Sequence, residues 1–359
     1  MPRSARATTP LPILVQPYFD PKPWGSRRLG ALCGELPEGL IGEAWLAAPN
    51  AMAGSGPEAG RLLGDLAAGA PQLWCGAQGL RATRGQAIFP LLVKVIDATE
   101  TLSVQVHPDD SLAAARDLGT GKTEAWHVLD AAPGAVLYAG LGHGVEHEAF
   151  LAACSEQDDV SSYLNAVPAT PGMTMVIPAG TVHAIGGGLL IYEIQQPSNV
   201  TFRLSDWGRR DENGNARDLH HADGFAAVKL EVSPRPGAPV RLTDERAVLA
   251  ATPYFALERV DVPSSRALTL PAVQSPQVLT LLQGVLEVSL RGVPGSVVAS
   301  AGQTLIAPAE TVATLVAGTR VTLLRGWAPD LDRDIMEPAQ EAGVANTFLA
   351  QWEIAALRP

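Results

Sequence analysis

The chain has 359 residues, 47% of them hydrophobic and 18% charged, which excludes a disordered chain and allows roughly two domains of about 150 residues. Its formal net charge of −11 excludes a general binder of nucleic acid or anionic membranes, which needs a basic face, while leaving room for an anionic small molecule at a few local Lys and Arg. Three scattered cysteines, Cys33, Cys75 and Cys154, make no disulfide framework, the apolar run LPILV is too short for a signal-peptide core, and no stretch approaches the ~18 apolar residues of a membrane span, so a reducing cytoplasm is the expected location.

Glycine and proline cut the chain into short apolar runs. Residues 57–72 read as a helical insert. FPLLVKVIDA (89–98) reads as a strand interrupted by Lys94, and SVQVHPDD (103–110) with the preceding Leu102 alternates Ser103, Gln105 and His107 against Leu102, Val104 and Val106. GAVLYAGL (134–141) is a further strand, and residues 145–167 carry helical spacing over two short helices. MTMVIPAG (173–180), LLIYEIQQ (189–196), QVLTLLQGVLEVSL (277–290) and VTLLRGW (321–327) continue the pattern on either side of a Pro-rich joint, VSPRPGAPVR (232–241). Many short strands between turn signals predict an all-β sandwich or barrel.

One internal match stands out. PGMTMVIPAGTVHAI (171–185) aligns without gaps on AGQTLIAPAETVATL (301–315), pairing Gly172 with Gly302, Thr174 with Thr304, Pro178 with Pro308 and Thr181-Val182 with Thr311-Val312. The match implies two copies of one β module. His183 in the first copy is Ala313 in the second, so a site built on His183 would exist once.

Four side chains suit a divalent metal: Gln105, His107, Glu124 and His183. Spacing alone leaves other readings open. A strand histidine is more often structural than a ligand, His127, His143, His147, His220 and His221 are equally available, and Glu124 beside Lys122 reads equally as an exposed ion pair. Lys94 is either an edge-strand lysine facing water or a cation lining an anion pocket, with the Ser103 hydroxyl near the same anion. Glu193 emerges from an apolar strand, where burial raises a carboxyl pKa and suits it to proton transfer; the alternative is a structural carboxylate paired with Arg203 or Arg209.

Taken together, PWGSRRLG (23–30), GEAW (42–45), FPLLVKVIDATETLSVQVHPDD (89–110), GKTEAWHVL (121–129), IPAGTVHAIGGG (177–188), YEIQQPSNVTFRLSDWGR (192–209) and RDLH (217–220) resemble the type I mannose-6-phosphate isomerases in their shorter bacterial form. The resemblance covers about residues 17–220. It departs at His127 and Phe202, where the family often has Tyr. It implies a mainly β chain of two cupin-type jelly-roll barrels with small helical insertions: a catalytic domain over 1–231 and a metal-free one over 232–359. It implies one Zn²⁺ per chain on Gln105, His107, Glu124 and His183, and a sugar phosphate faced by Lys94, Lys122, Glu193 and Arg203, with Trp24 on the pocket rim and Ser103 near the phosphate. The implied reaction interconverts mannose 6-phosphate and fructose 6-phosphate, with Glu193 or Lys122 moving the proton, Glu193 preferred, and Arg203 steadying the charge. A monomer or homodimer is expected. The competing readings are a cupin metalloenzyme on another sugar phosphate or an iron-using oxygenase, and a non-catalytic sugar-binding or regulatory protein on the same scaffold.

Overall fold

The computed structural model describes residues 9–345 except 157–158, 211–212 and 231. The described residues divide into two compact units: one formed by Phe19–Trp45 with Leu91–Pro239, the other by residues 9–18, Leu46–Pro90 and residues 240–345. This division differs from the expected limits of 1–231 and 232–359. The chain does leave the first unit in the Pro-rich joint, but the helical insert belongs with the later repeat. Local hydrogen bonds show why: Gln78 N donates to Gln274 O, Ala309 N donates to Leu73 O, and the strand Ile13–Gln16 pairs with Thr304–Ala307. Among the described residues no helix is long and apolar enough to cross a membrane.

The unit containing Phe19–Trp45 and Leu91–Pro239 is built from two antiparallel sheets. The larger runs Pro236–Gly237, Thr174–Ile177, Glu124–Ala131, Leu189–Gln195, Leu92–Ala98, Ile41–Ala47, Tyr18–Ser26. The smaller runs Phe202–Ser205, Val104–Val106, His183–Ile185, Val136–Leu141, Leu164–Pro168. Trp24, Ile96, Trp126, Leu137, Ile177 and Ile191 share one core cluster. Val104, Val106, Phe202 and Leu204 form another with Phe150 and Cys154 of the helix His147–Glu156 and Ala227 of the helix His221–Ala227. The alternation in SVQVHPDD is thereby explained. Its valines go to the helix-covered face, so its polar set must point inward, between the sheets. Leu102 departs from the strict alternation and joins the inner cluster.

The helical expectations needed adjustment in two places. Residues 145–167 begin as the helix His147–Glu156 and the 3-10 turn Ser161–Tyr163, but Leu164–Pro168 is a strand paired with Val136–Leu141. Its alternating burial and the open edge beside it override the apparent helical spacing. The insert forms three short helices, Leu63–Gly69, Pro71–Trp74 and Gly76–Ala82, starting later than residue 57 because Gly60 has φ +84° and turns the chain first.

The second unit repeats the pattern. Gly172 and Gly302 both sit at left-handed φ, 86° and 85°. Thr181 Oγ1 donates to Pro178 O at 2.7 Å and Thr311 Oγ1 to Pro308 O at 2.6 Å. Strand register extends the equivalence. Ile177 faces Glu124, as Ala307 faces Gln277; Glu193 faces Trp126 and Lys94, as Arg325 faces Leu279 and Glu258. The second copy thus has Gln277, Arg325 and Glu258 where the first has Glu124, Glu193 and Lys94. Arg325 is fully buried and donates to Gln277 Oε1 (2.8 Å), Glu258 Oε2 (3.0 Å) and Pro271 O (3.2 Å). Glu258 also pairs with Arg246 at 2.8 Å and would stay compensated, but Gln277 Oε1 and Pro271 O would lose their donor, so Arg325→Met is expected to cost about 1–3 kcal/mol, read as a lower urea midpoint with an unchanged slope.

Candidate active site

Three sequence motifs lock together at one end of the first unit. Asp109 caps the helix Asp110–Ala115 by accepting from Leu112 N at 2.8 Å. The next residue, Asp110, accepts from Gly121 N (2.7 Å) and from Gln196 Nε2 (3.1 Å). Lys122 N donates to Pro108 O, and Gly180 N to His107 O. Gly121 is required by the closeness of this contact: a Cβ there would lie 2.6 Å from Asp110 N. HPDD, GKTE and PAGT are therefore one interlocked corner, which fixes where His107, Glu124 and His183 begin.

Those three side chains converge. One donor atom from each lies within 4.8 Å of the others, and all three residues are buried. His107 Nδ1 donates to Val200 O (2.9 Å) and His183 Nδ1 to Thr181 O (2.8 Å). Each imidazole then presents an Nε2 lone pair toward Glu124, at 3.3 Å from Oε2 and 3.4 Å from Oε1 respectively. Burial, then the Lys122 ammonium, pushes His107 down to about 3, and burial lowers His183, so both rings are neutral near pH 7. Burial alone would raise Glu124, but Lys122 and His107 hold it well below the ordinary carboxylate range. Gln105 faces His183 in strand register, its amide 3.2 Å from His183 Nε2. Rotating that amide exchanges its nitrogen for its oxygen.

Two neutral imidazoles, one carboxylate and one amide fit a divalent metal. The buried Glu124 Oε1 has no hydrogen-bond partner, as expected of an atom meant for an ion. Lys122 Nζ reaches Glu124 Oε2 at 2.6 Å and His107 Nε2 at 2.8 Å, so it shares the lone pairs a metal would use.

The cluster adjoins a cavity of about 240 Å³ lined by Trp24, Lys94, Ser103, Gln105, Lys122, Glu193 and Arg203, together with further polar groups. Lys94 is not an edge residue: its strand lies between two others and the side chain is buried between carboxylates, 3.1 Å from Glu193 Oε1 and 3.4 Å from Glu43 Oε2. Burial opposes its charge, but Glu193 and Glu43 outweigh that and hold Lys94 protonated. Trp126 Nε1 donates to Glu193 Oε2 at 2.9 Å. Burial, then the Glu124 charge, pushes the Glu193 carboxyl up. Trp24 lies deeper than a rim position, 3% exposed within the core cluster.

Other open readings close here. Glu193 pairs with neither Arg203 nor Arg209: Arg203 Nη1 donates to Asp218 O, and Arg209 Nη2 to Asp206. Lys122 and Glu124 are buried rather than an exposed pair. His127 binds Thr174 Oγ1, His220 Nδ1 accepts from Arg203 N, and His221 contacts Leu204 O. Among the described residues, the metal-capable group is His107, Glu124 and His183. The sequence reading passed over Glu43, whose carboxylate accepts from Trp45 Nε1 at 2.8 Å; the alternation within GEAW, which puts both on one strand face, was the available signal. Arg217, at the head of RDLH, also lines the cavity and was not singled out.

Residues 34–128 match the family model for the catalytic domain of type I phosphomannose isomerase, a span that includes Lys94, Gln105, His107, Lys122 and Glu124. A protein of Streptococcus mutans named mannose-6-phosphate isomerase is 32% identical over 263 residues, 71% of this chain and 80% of that relative. The chain belongs to the type I mannose-6-phosphate isomerase family. A second family member, Bacillus subtilis mannose-6-phosphate isomerase ManA, is 33% identical over 225 residues, 62% of this chain and 70% of its own. The crystal structure of the mannose 6-phosphate isomerase from Bacillus subtilis superposes with a TM-score of 0.76 at 25% identity, covering 88% of this chain and 99% of that one. The likeness bears out the mainly β, cupin-type fold expected from the sequence.

If the convergence of these side chains holds the ion, His183→Ala should weaken divalent-metal affinity by more than the ~10–100-fold cost of losing an outer-shell partner. Competition titration against a chromogenic chelator measures this directly, and an unchanged affinity would move the site elsewhere.

Proposed function

We propose that this chain is a zinc-dependent aldose–ketose isomerase that interconverts mannose 6-phosphate and fructose 6-phosphate through proton transfer. The observation that carries the reading is the adjacency of a buried His107–Glu124–His183 donor set to a polar cavity holding a carboxyl of raised pKa, Glu193. Family membership supplies the substrate class. A divalent ion held by Gln105, His107, Glu124 and His183 would act as a Lewis acid toward a substrate oxygen, and two histidines with one carboxylate favour zinc.

The remaining chemistry belongs to the side chains. Isomerisation moves a proton between C1 and C2 while negative charge develops on oxygen. Glu193 is the group we assign to carry that proton. Trp126 fixes one carboxylate oxygen, the other stands beside Lys94, and the raised pKa makes a stronger base than an exposed carboxylate. Lys122 is the weaker candidate. Its ammonium is taken up by contacts to Glu124 Oε2 at 2.6 Å and His107 Nε2 at 2.8 Å, within the donor set itself. Arg203 is assigned to the developing oxyanion: it pairs in strand register with Gln105, and its Nε is buried without a partner. Lys94 stays charged and holds Glu193 in place.

A coupled assay with mannose 6-phosphate, after chelation and then with Zn²⁺ restored, tests the proposal; activity that ignores both treatments rejects the metal. Turnover in deuterated water should place deuterium at C1 or C2, and strict retention of hydrogen would point to a hydride shift. Glu193→Gln should lower kcat by ~10²–10⁴-fold. A base works deprotonated, so wild-type activity should fall as pH drops through the raised Glu193 pKa, at a higher pH than an exposed carboxylate would give. The residual activity of E193Q should lack that acid limb.

A further inference from the structure

The charges around the cavity are unevenly balanced. Lys22 is paired with Asp20 at 2.8 Å, Lys94 lies between Glu43 and Glu193, and Lys122 contacts Glu124. The exception is the end where the strand Phe202–Ser205 runs out. There Arg203, Arg209 and Arg217 share one buried carboxylate, Asp206. The Asp218 carboxylate nearby belongs to an exposed residue. Burial, then repulsion from Arg217 and Arg209, works against the Arg203 charge. Among the described residues three guanidinium groups face one buried carboxylate, with the exposed Glu100 (3.9 Å from Arg209) and Asp218 at the solvent side, which leaves a local excess of positive charge suited to an anion such as a phosphate monoester.

The three arginines are not equivalent. Arg209 spends its donors on the protein: Nη1 on Thr101 O (2.6 Å), Nη2 on Asp206 Oδ1 (2.5 Å) and Nε on Asp206 O (3.2 Å). It is not among the cavity-lining residues, whereas Arg217 is. Asp206 grips Arg217 along one edge, accepting from Nε at 2.7 Å and also from Nη2. That grip fixes the guanidinium plane and leaves Nη1 for a ligand.

Register places this end relative to the metal cluster. Arg203 lies opposite Gln105, and Ser205 opposite Val104. Ser103, buried and lining the cavity, therefore stands at the Asp206 end, two residues or about 7 Å along the strand from Gln105. A six-carbon sugar with its reacting carbons near Gln105 must extend its far end this way.

We propose that Arg217, held by Asp206 as its positioning residue, binds the phosphate group of the substrate together with Ser103, and so selects phosphorylated over unphosphorylated sugar. The substrate's identity rests on the isomerase reading above; the anion preference rests on these contacts alone. Binding of inorganic phosphate to the metal-loaded protein, measured calorimetrically, should weaken by about 10- to 100-fold in Arg217→Met, the loss expected for a charge-assisted hydrogen-bonded contact. KM for mannose 6-phosphate should rise in parallel with kcat little changed, and any slow turnover of free mannose should be unaffected. Arg217→Lys keeps the charge but not the two-point grip, so it should show a smaller rise. Asp206→Asn should raise KM without changing metal affinity. Phosphate affinity and KM that do not depend on Arg217, including phosphate bound at the metal instead, would overturn the inference while leaving the isomerase assignment standing. Arg217-dependent phosphate binding in a protein that does not isomerise mannose 6-phosphate would do the reverse.

Discussion

Everything in the first unit depends on keeping one carboxylate, Glu124, ionised without contact with water. A bare buried anion is too costly to persist, and an unpaired one would protonate. Here the cost is offset by Lys122, while two imidazoles, anchored through their outer nitrogens to backbone carbonyls, aim lone pairs at the same point, where a divalent cation would add the remaining compensation. That arrangement needs three segments far apart in sequence to meet within a few ångströms. The interlocked corner of Pro108–Asp110, Gly121–Lys122 and Gly180 enforces the meeting through backbone hydrogen bonds, so the geometry does not rely on the flexible ends of side chains.

The same logic separates the roles of the charged groups. Lys94 is buried between Glu43 and Glu193 and serves as a fixed counter-charge. Glu193 is pushed toward neutrality by burial and by Glu124, against the pull of Lys94. A carboxyl poised between these influences can change protonation state at modest cost, whereas Glu124, more heavily compensated, cannot. Two glutamates of one site thus differ: one is held charged, the other is pushed toward neutrality.

Much of this was legible in the sequence because strands convert spacing into facing. The alternation of SVQVHPDD placed Gln105 and His107 together, and the alignment of residues 171–185 with 301–315 isolated His183 as the column that differs. What the sequence hid depends on tertiary register. No local pattern shows that Arg217 meets Asp206, because the loop between them turns the chain back on itself. Nothing in the apolar spacing of residues 145–167 reveals that Leu164–Pro168 will complete a sheet edge; the pairing partner decides. The helical insert was visible as helix, but its allegiance to the later repeat is set by backbone contacts to Gln274 and Leu73 that composition does not encode.

The inverted copy in the second unit has a consequence of its own. At equivalent register, Arg325 inserts a permanent cation among Gln277 and Glu258, tethered to the main chain and stacked 4.4 Å over Trp327. The two halves of the molecule therefore supply interior positive charge by different means, one with buried lysines beside a metal-capable donor set, the other with a built-in guanidinium. The second unit's interior charge is written into its sequence, whereas the first unit's donor set leaves room for a charge supplied from solution.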